Sequence, residues 1–509
     1  MTTVNLRTLS RKGHEVSRRN PFAGILNFVS GRFPYFMTSG PLLFSALEIA
    51  AQIRRKEISP VEVARAHLDR IERLNPKLNA FVDYKPEAVL AQAREAEKAI
   101  LRGDDLGALH GVPVSIKSSI DVAGHLCEAG TRLRAGHIAA EDAPLVTRLR
   151  AAGAVILGVT NTPELLMAWE TDNLLYGRTN NPWDLTRTAG GSSGGEAAAI
   201  AAGLSAGGVG SDGGGSIREP AHFCGVCGLK PTPGRIPSTG HFPKSGGPFA
   251  LIGVVGPMAR TIEDVRALFE VMAGWDDGDP CAAPVEVREI RETAVRAVNI
   301  GFFEDDGRTP VTKETRLAVR RAASLLSGCG FRVEPFRPEG LEEARQRWWE
   351  FFGTAGGMIL EPILRGHESE LSPILREFQT WTSAAPAHTG ESLLAAWLGR
   401  DVVREKILLQ MRKYPVLICP TAAIPAFRHG EREWQVEGKT VKYLDAWSYC
   451  EWFNLLGFPA AVVPMGYSEE GLPIGVQVVG RPWEEEVVLA VAAKLEAERG
   501  PWLAPPLLD

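Results

Sequence analysis

From Ser45 onward, apolar residues recur at helical spacing, interrupted by short runs that are apolar throughout. Ser45 with Glu48, and Ser59-Pro60 with Glu62, predict capping boxes that open two amphipathic helices, the second with proline at its first helical position. Further helices are predicted over Pro86–Leu101 and 143–152. Gly111-Val-Pro-Val-Ser-Ile-Lys117 reads as a short buried strand ending in a lysine, and Ala154-Val-Ile-Leu-Gly158 as another. The alternation continues with strands at Asn299–Phe303, Phe331–Phe336, Val416–Cys419, Ala461–Pro464 and Ile474–Val479, and helices at 313–327 and Glu484–Arg499. Buried strands alternating with helices predict an α/β fold around a mostly parallel or mixed sheet. No linker rich in Pro, Ser or charge follows residue 40 and no internal repeat is found, so one large domain over 41–509 is expected.

The first forty residues differ. Up to Arg32 they carry six basic residues and one acid, Glu15, and Phe22, Ile25, Leu26 and Val29 recur at helical spacing. Such a segment can lie on an anionic membrane surface or pack on the body of the protein or on a partner chain. The expectation is an N-terminal extension, 1–40, that covers a substrate entrance or a dimer interface. No small-residue cleavage site follows a compact apolar core there, which argues against a signal peptide. Over the whole chain the 509 residues are 45% hydrophobic and 23% charged, an ordinary globular balance. A net charge of -5 gives no reason to expect nucleic acid as a partner. No apolar run reaches the roughly 18–20 residues of a membrane span. Seven unevenly spaced cysteines read as reduced thiols of a cytoplasmic protein.

Of the 53 glycines, many crowd between Gly190 and Gly247, which points to close backbone approach there. Three short patterns in this region fail on context. Gly191-Ser-Ser193-Gly-Gly195 fits the hydrolase nucleophile elbow, but Asn181–Thr188 before it is turn-like and no triad histidine follows. Gly208-Val-Gly210-Ser-Asp-Gly213 fits a dinucleotide fingerprint, but a small-residue helix precedes it instead of a strand. Cys224 and Cys227 with His222 lack a second pair at metal-site spacing, so no metal is expected. What remains is two serine-bearing glycine loops joined by a helix almost without side chains. Gly213, Gly214 and Gly215 before Ser216 let successive N–H groups converge, as an oxyanion hole requires, and Asp212 beside them would tie down loop amides. A serine nucleophile needs a base. His222 reads as a core residue, whereas Lys117, at the end of a buried strand, could be deprotonated by desolvation. Seen alone, a strand-end lysine is commonly a snorkelling surface residue.

At this point the residues resemble the amidase signature hydrolases. Gly190-Gly-Ser-Ser-Gly-Gly-Glu196, followed by Gly210 through Thr232, is similar to the family's defining stretch almost position for position. Gly111–Asp121, Thr160–Glu164, Tyr176–Pro182, Asn454–Ala460 and Gly471–Gly480 resemble its other segments, and the similarity spans roughly residues 44–497. Ala189 departs from the family, where proline is common before the glycine pair. The resemblance implies a large mixed twisted sheet flanked by helices on both faces, and a Ser–cis-Ser–Lys triad. Ser216 would be the nucleophile, Ser192 the bridging serine after a cis peptide, and Lys117 the base. Gly213, Gly214, Gly215 and Ser216 would form the oxyanion hole, supported by Ser193, Asp212 and Arg218. It implies a small-molecule amide substrate, no cofactor and, as a family expectation, a homodimer. Trp348-Trp349, Phe351-Phe352, Trp381, Trp447, Tyr449, Trp452 and Phe453 suggest a hydrophobic or aryl amide, with ester or carbamate side activity. The alternatives are the glutaminase component of a tRNA-dependent amidotransferase and an oligoamide or carbamate hydrolase. Asp121 is the acid nearest Lys117 in sequence, and close pairing between them would oppose deprotonation.

Overall fold

Eleven strands line up edge to edge: β1 Phe81–Tyr84, β2 Pro113–Lys117, β3 Val155–Thr160, β4 Gly207–Asp212, β5 Cys227–Lys230, β6 Val254–Ala259, β7 Asn299–Phe302, β8 Arg332–Pro335, β9 Val416–Pro420, β10 Ala460–Tyr467 and β11 Pro473–Val479. The lateral order is β1-β3-β2-β4-β6-β5-β10-β11-β9-β7-β8. β2 runs parallel to β3 and β4, and β7 runs parallel to β8 and β9. An antiparallel centre joins these two wings, and β1 pairs antiparallel with β3 at the edge. The sheet is therefore mixed. This computed structural model describes residues 40–384 and 386–508, and the expectation about the N-terminal extension lies outside the described residues. The chain from Pro41 onward forms one compact unit.

Helices cover both faces, and the pleat shows why. Val155 and Leu157 of β3 pack in one core with helices Pro60–Leu78 and Gly194–Ala201, while Ile156 between them packs in another with helices Ala46–Arg54 and Ile262–Met272. Successive strand side chains point to opposite faces, so a wholly apolar strand has to be covered twice. A third core is rich in aromatics: Leu417 and Cys419 of β9 meet Trp348, Trp447 and Trp452, all at most 1% exposed. The predicted helix starts hold. The Ser45 hydroxyl accepts from the Glu48 N–H, and around Ser59 the box closes both ways, through Val61 N to Ser59 Oγ and Ser59 N to the Glu62 carboxylate.

Two readings change. The segment Gly207–Asp212 is no loop but a fully buried strand in the middle of the sheet, and helix Arg218–Cys224 opens soon after it. Four of its six residues are Gly or Ser, so it carries no apolar alternation by which a strand could be recognised. Likewise Asn181–Thr188, read as turn-like, contains one arm of a hairpin, Asp184–Thr188, paired with Asn180–Asn181. β6 went unrecognised because Gly256 and Pro257 sit inside it.

Candidate active site

β2 delivers Lys117 to the site. All five of its residues are buried, and Lys117 stands in register with Thr160 of β3. Its Nζ lies 2.7 Å from Ser192 Oγ, 3.0 Å from Ser193 Oγ and 3.0 Å from Ser211 Oγ. The lysine is 0% exposed, so it does not snorkel to solvent. Burial holds its pKa well below the ordinary lysine value, against the opposing pull of Asp212 and Glu196. These, and not Asp121, are the acids that face it.

Ser192 follows a cis peptide from Gly191. Its carbonyl accepts from Thr162 Oγ1 at 2.7 Å, and Ser193 N–H donates to the Ser216 carbonyl at 3.1 Å, tying the two serine segments together. The Ser193 hydroxyl donates to the Ser211 carbonyl and accepts from the Ser211 N–H, each at 3.3 Å.

Behind Ser216 lies a buried ion pair. Arg218 Nε donates to Asp212 Oδ2 at 3.0 Å, and both side chains are fully buried. Burial alone would raise the Asp212 carboxyl, but Arg218, Lys230 and the Gly215 N–H together hold the group well below the usual range. Asp212 also accepts from Gly215 N–H at 2.7 Å and Ile217 N–H at 3.1 Å, which curls the loop around it. Gly215 sits at φ +113°, where a Cβ would also press on Cys450. Arg218 goes on to Gln477 Oε1 at 2.8 Å, the Cys450 carbonyl at 3.0 Å and Asn454 Oδ1. Asn454 and Gln477, sequence-distant members of the resemblance, thus converge on the same arginine.

Among the glycines expected to form the oxyanion hole, Gly215 donates its N–H to Asp212 Oδ1 at 2.7 Å. The N–H groups of Gly213, Gly214 and Ser216 donate to no acceptor among the described residues. Two peptides of the loop are set from behind: Trp348 Nε1 donates to the Gly213 carbonyl at 2.9 Å, fixing the peptide of the Gly214 N–H, and Trp169 Nε1 donates to the Gly214 carbonyl at 2.9 Å, fixing that of the Gly215 N–H. In a trans peptide the N–H points opposite to the C=O. Pinning the Gly213 carbonyl therefore turns the Gly214 N–H to the other side of the loop.

Ser192, Ser211, Asp212, Gly213 and Ser216 line one cleft of about 640 Å³, its open mouth included. Its other walls are largely apolar: Leu166, Met167, Phe249, Val254, Val255, Phe352, Ile359 and Leu360, with His241 and Lys244 among the polar residues. Of the aromatics singled out in the sequence, Phe352 alone lines this cleft. Trp348 stacks behind it at 4.5 Å, and Phe351, Trp447, Tyr449, Trp452 and Phe453 are core. His222 is also core: Nδ1 accepts from Gly475 N–H at 2.7 Å and Nε2 lies 3.0 Å from the Ile424 carbonyl. Cys224 and Cys227 are buried thiols next to the Ala189 and Arg260 carbonyls.

The amidase family profile matches residues 62–489. The chain belongs to the amidase signature family. Its relatives include an indoleacetamide hydrolase of Bradyrhizobium diazoefficiens, 35% identical over 90% of this chain and 87% of that one. Another is a component of the glutamyl-tRNA(Gln) amidotransferase of Carboxydothermus hydrogenoformans, 34% identical over 89% of this chain and 96% of that one. A crystal structure of a bacterial aryl acylamidase of the amidase signature family matches with TM-score 0.79 and 28% identity, covering 90% of this chain and 96% of the other. The protein is thus an amidase, an enzyme acting on the C–N bond of amides. Among the described residues of this amidase, no helix is long and apolar enough to cross a membrane.

Ser211, Thr162, Glu196 and Trp169 had no role in the sequence reading. Ser211, Glu196 and Thr162 lie inside the recognised motifs, but only the packing shows what they touch. The amidase loop offers a direct check. Trp348→Phe keeps the ring stack but takes the indole donor from the part-buried Gly213 carbonyl, at a cost of ~1 kcal/mol. The expected result is a loss of about tenfold in kcat with KM changed less. An unchanged kcat would mean the loop keeps its shape without the indole.

Proposed function

We propose that this amidase hydrolyses hydrophobic or aryl amides through an acyl-enzyme on Ser216, with Ser192 as relay and Lys117 as base. The observation that carries the reading is the buried amine with three hydroxyl neighbours. A neutral amine has two N–H donors and one lone pair. Donating to Ser193 and Ser211 leaves the lone pair for the hydroxyl hydrogen of Ser192, the nearest of the three. Ser192 Oγ can then accept the proton of Ser216 as Ser216 Oγ attacks the amide carbonyl. The tetrahedral oxyanion is stabilised by the N–H groups of Gly213, Gly214 and Ser216, each donor worth ~3–4 kcal/mol in comparable sites. Collapse breaks the C–N bond, and the leaving amine takes its proton back through Ser192. Water, deprotonated by the same pair, then cleaves the ester and restores Ser216. No step in this cycle calls on a metal or a cofactor.

The apolar cleft walls support a hydrophobic acyl or aryl group over free glutamine, whose charged α-carbon substituents would need polar partners. Purified enzyme should therefore turn over anilides, aryl-acetamides and medium-chain fatty amides with kcat/KM well above that on glutamine. Glutamine as the single good substrate would replace this reading with that of an amidotransferase component. Esters and carbamates of the same acyl groups are expected as slower side substrates.

A further inference from the structure

Beneath the serine network lies a second buried acid that the proposed cycle does not use. Glu196 sits in the first turn of helix Gly194–Ala201 and is fully buried. Its carboxylate lies over the backbone of Gly208, where a Cβ would overlap it, so the glycine makes room for the charge. Thr160 Oγ1 donates to Oε2 at 2.8 Å and Ser115 Oγ donates to Oε1, while Ser115 also meets Ser205 Oγ at 2.9 Å.

These donors place the carboxylate beside Lys117. Ser115 is two residues before Lys117 on β2, so both side chains leave the same face. Thr160 is the cross-strand partner of Lys117, and Gly208 that of Ser115. Both oxygens of Glu196 receive a hydroxyl hydrogen, the arrangement that suits an ionised carboxylate. The other acid facing the amine, Asp212, pulls on it more strongly but is also paired with Arg218, whereas Glu196 has no cation besides the lysine. Among the described residues no other cation acts on Glu196, so Lys117 is its one charged neighbour.

We propose that Glu196 is a positioning residue for Lys117: its carboxylate, held by Ser115 and Thr160 one cross-strand step away, sets how strongly the buried amine holds a proton. The inference rests on Lys117 being the base. Without Glu196, burial opposed by Asp212 alone would leave the amine a weaker base for the proton of Ser192. With the anion, basicity is restored without an ion pair that would block the lone pair. Burial pushes Glu196 itself up to about 7, against the pull of Ser115, Thr160 and Lys117. The groups facing Lys117 from all sides are Glu196, Asp212 and, from the loop carrying it, His241.

Glu196→Gln keeps the size, removes the charge and turns one of the two acceptors into a donor, which the facing hydroxyl can meet by turning its own hydrogen to Ser205 Oγ or to the Ile116 carbonyl. Losing a facing anion disfavours the ammonium, so the base is free at lower pH. The acidic limb of kcat/KM against pH, measured on one anilide, should move down by about one pH unit. The plateau should fall severalfold, as a weaker base is a poorer one. A limb that stays where the wild type has it, in folded protein, overturns the proposal, because a purely structural glutamate would lower stability without moving it. Should Glu196→Gln fail to fold, Thr160→Val removes one donor and makes the carboxylate easier to protonate; it should shift the limb the same way by less, and an unmoved limb again overturns the proposal. Lys117→Ala separates the two readings. If it abolishes activity while Glu196→Gln leaves the limb in place, only the role of Glu196 fails. If Lys117→Ala keeps both rate and limb, the base itself has been misassigned.

Discussion

Lys117→Ala should lower kcat/KM by several orders of magnitude while the protein stays folded, with Ser216→Ala at least as severe and Ser192→Ala somewhat milder. Removing one member of a unit that acts together costs most of what removing all of it would. The pH profile carries the more specific expectation. As the proposed base, Lys117 has to be neutral to accept a proton, so activity is expected to rise with pH as the amine loses its own. Its limb lies below the ordinary lysine value of ~10.4, since burial lowers it. The same shift makes the residue costly to the fold. Between the folded and unfolded values the unfolded chain binds the extra proton, so stability rises with pH across that window. At neutral pH, then, Lys117→Met should raise the denaturant midpoint even as it removes activity. A folded Lys117→Ala protein with near-normal rates and the wild-type limb would mean another base operates.

Arg218→Ala should be the most damaging substitution for stability. It strands the fully buried Asp212 carboxylate and leaves Gln477, Asn454 and the Cys450 carbonyl without their shared donor. Breaking a buried pair from one side costs ~3–5 kcal/mol. A chemical-denaturation midpoint measured beside the wild type would read this directly, and a loss within ~1 kcal/mol would show that Asp212 is held by its amide donors alone. The intact pair should also resist acid. The Asp212 carboxyl is depressed in the folded state, so its contribution is fully present above the unfolded value of ~3.9. It is lost only as pH falls through the still lower folded value. Arg218→Ala protein should lose its fold at a higher pH than the wild type during acid titration.

Local physical chemistry was enough to place most elements from sequence alone. The capped helix at 60–78, the amphipathic helix at 86–102 and the apolar strands at 155–160 and 473–479 announce themselves, because helix periodicity and β-rich apolar runs are properties of neighbouring residues. The long glycine–serine motif likewise made the candidate site legible, since three glycines before Ser216 have few uses other than close backbone approach. Tertiary structure decided what local patterns cannot encode. Gly207–Asp212 is a central strand because Glu196 and the neighbouring strands β2 and β6 occupy the space its missing side chains leave. The Gly215 N–H belongs to Asp212, and most of the aromatics expected in the pocket lie in the core behind it. Above all, the proton affinity of Lys117 depends on burial and on Glu196 and Asp212, which lie 79 and 95 positions away along the chain. Desolvation and charge act through space, and a linear pattern does not say which residues will share that space.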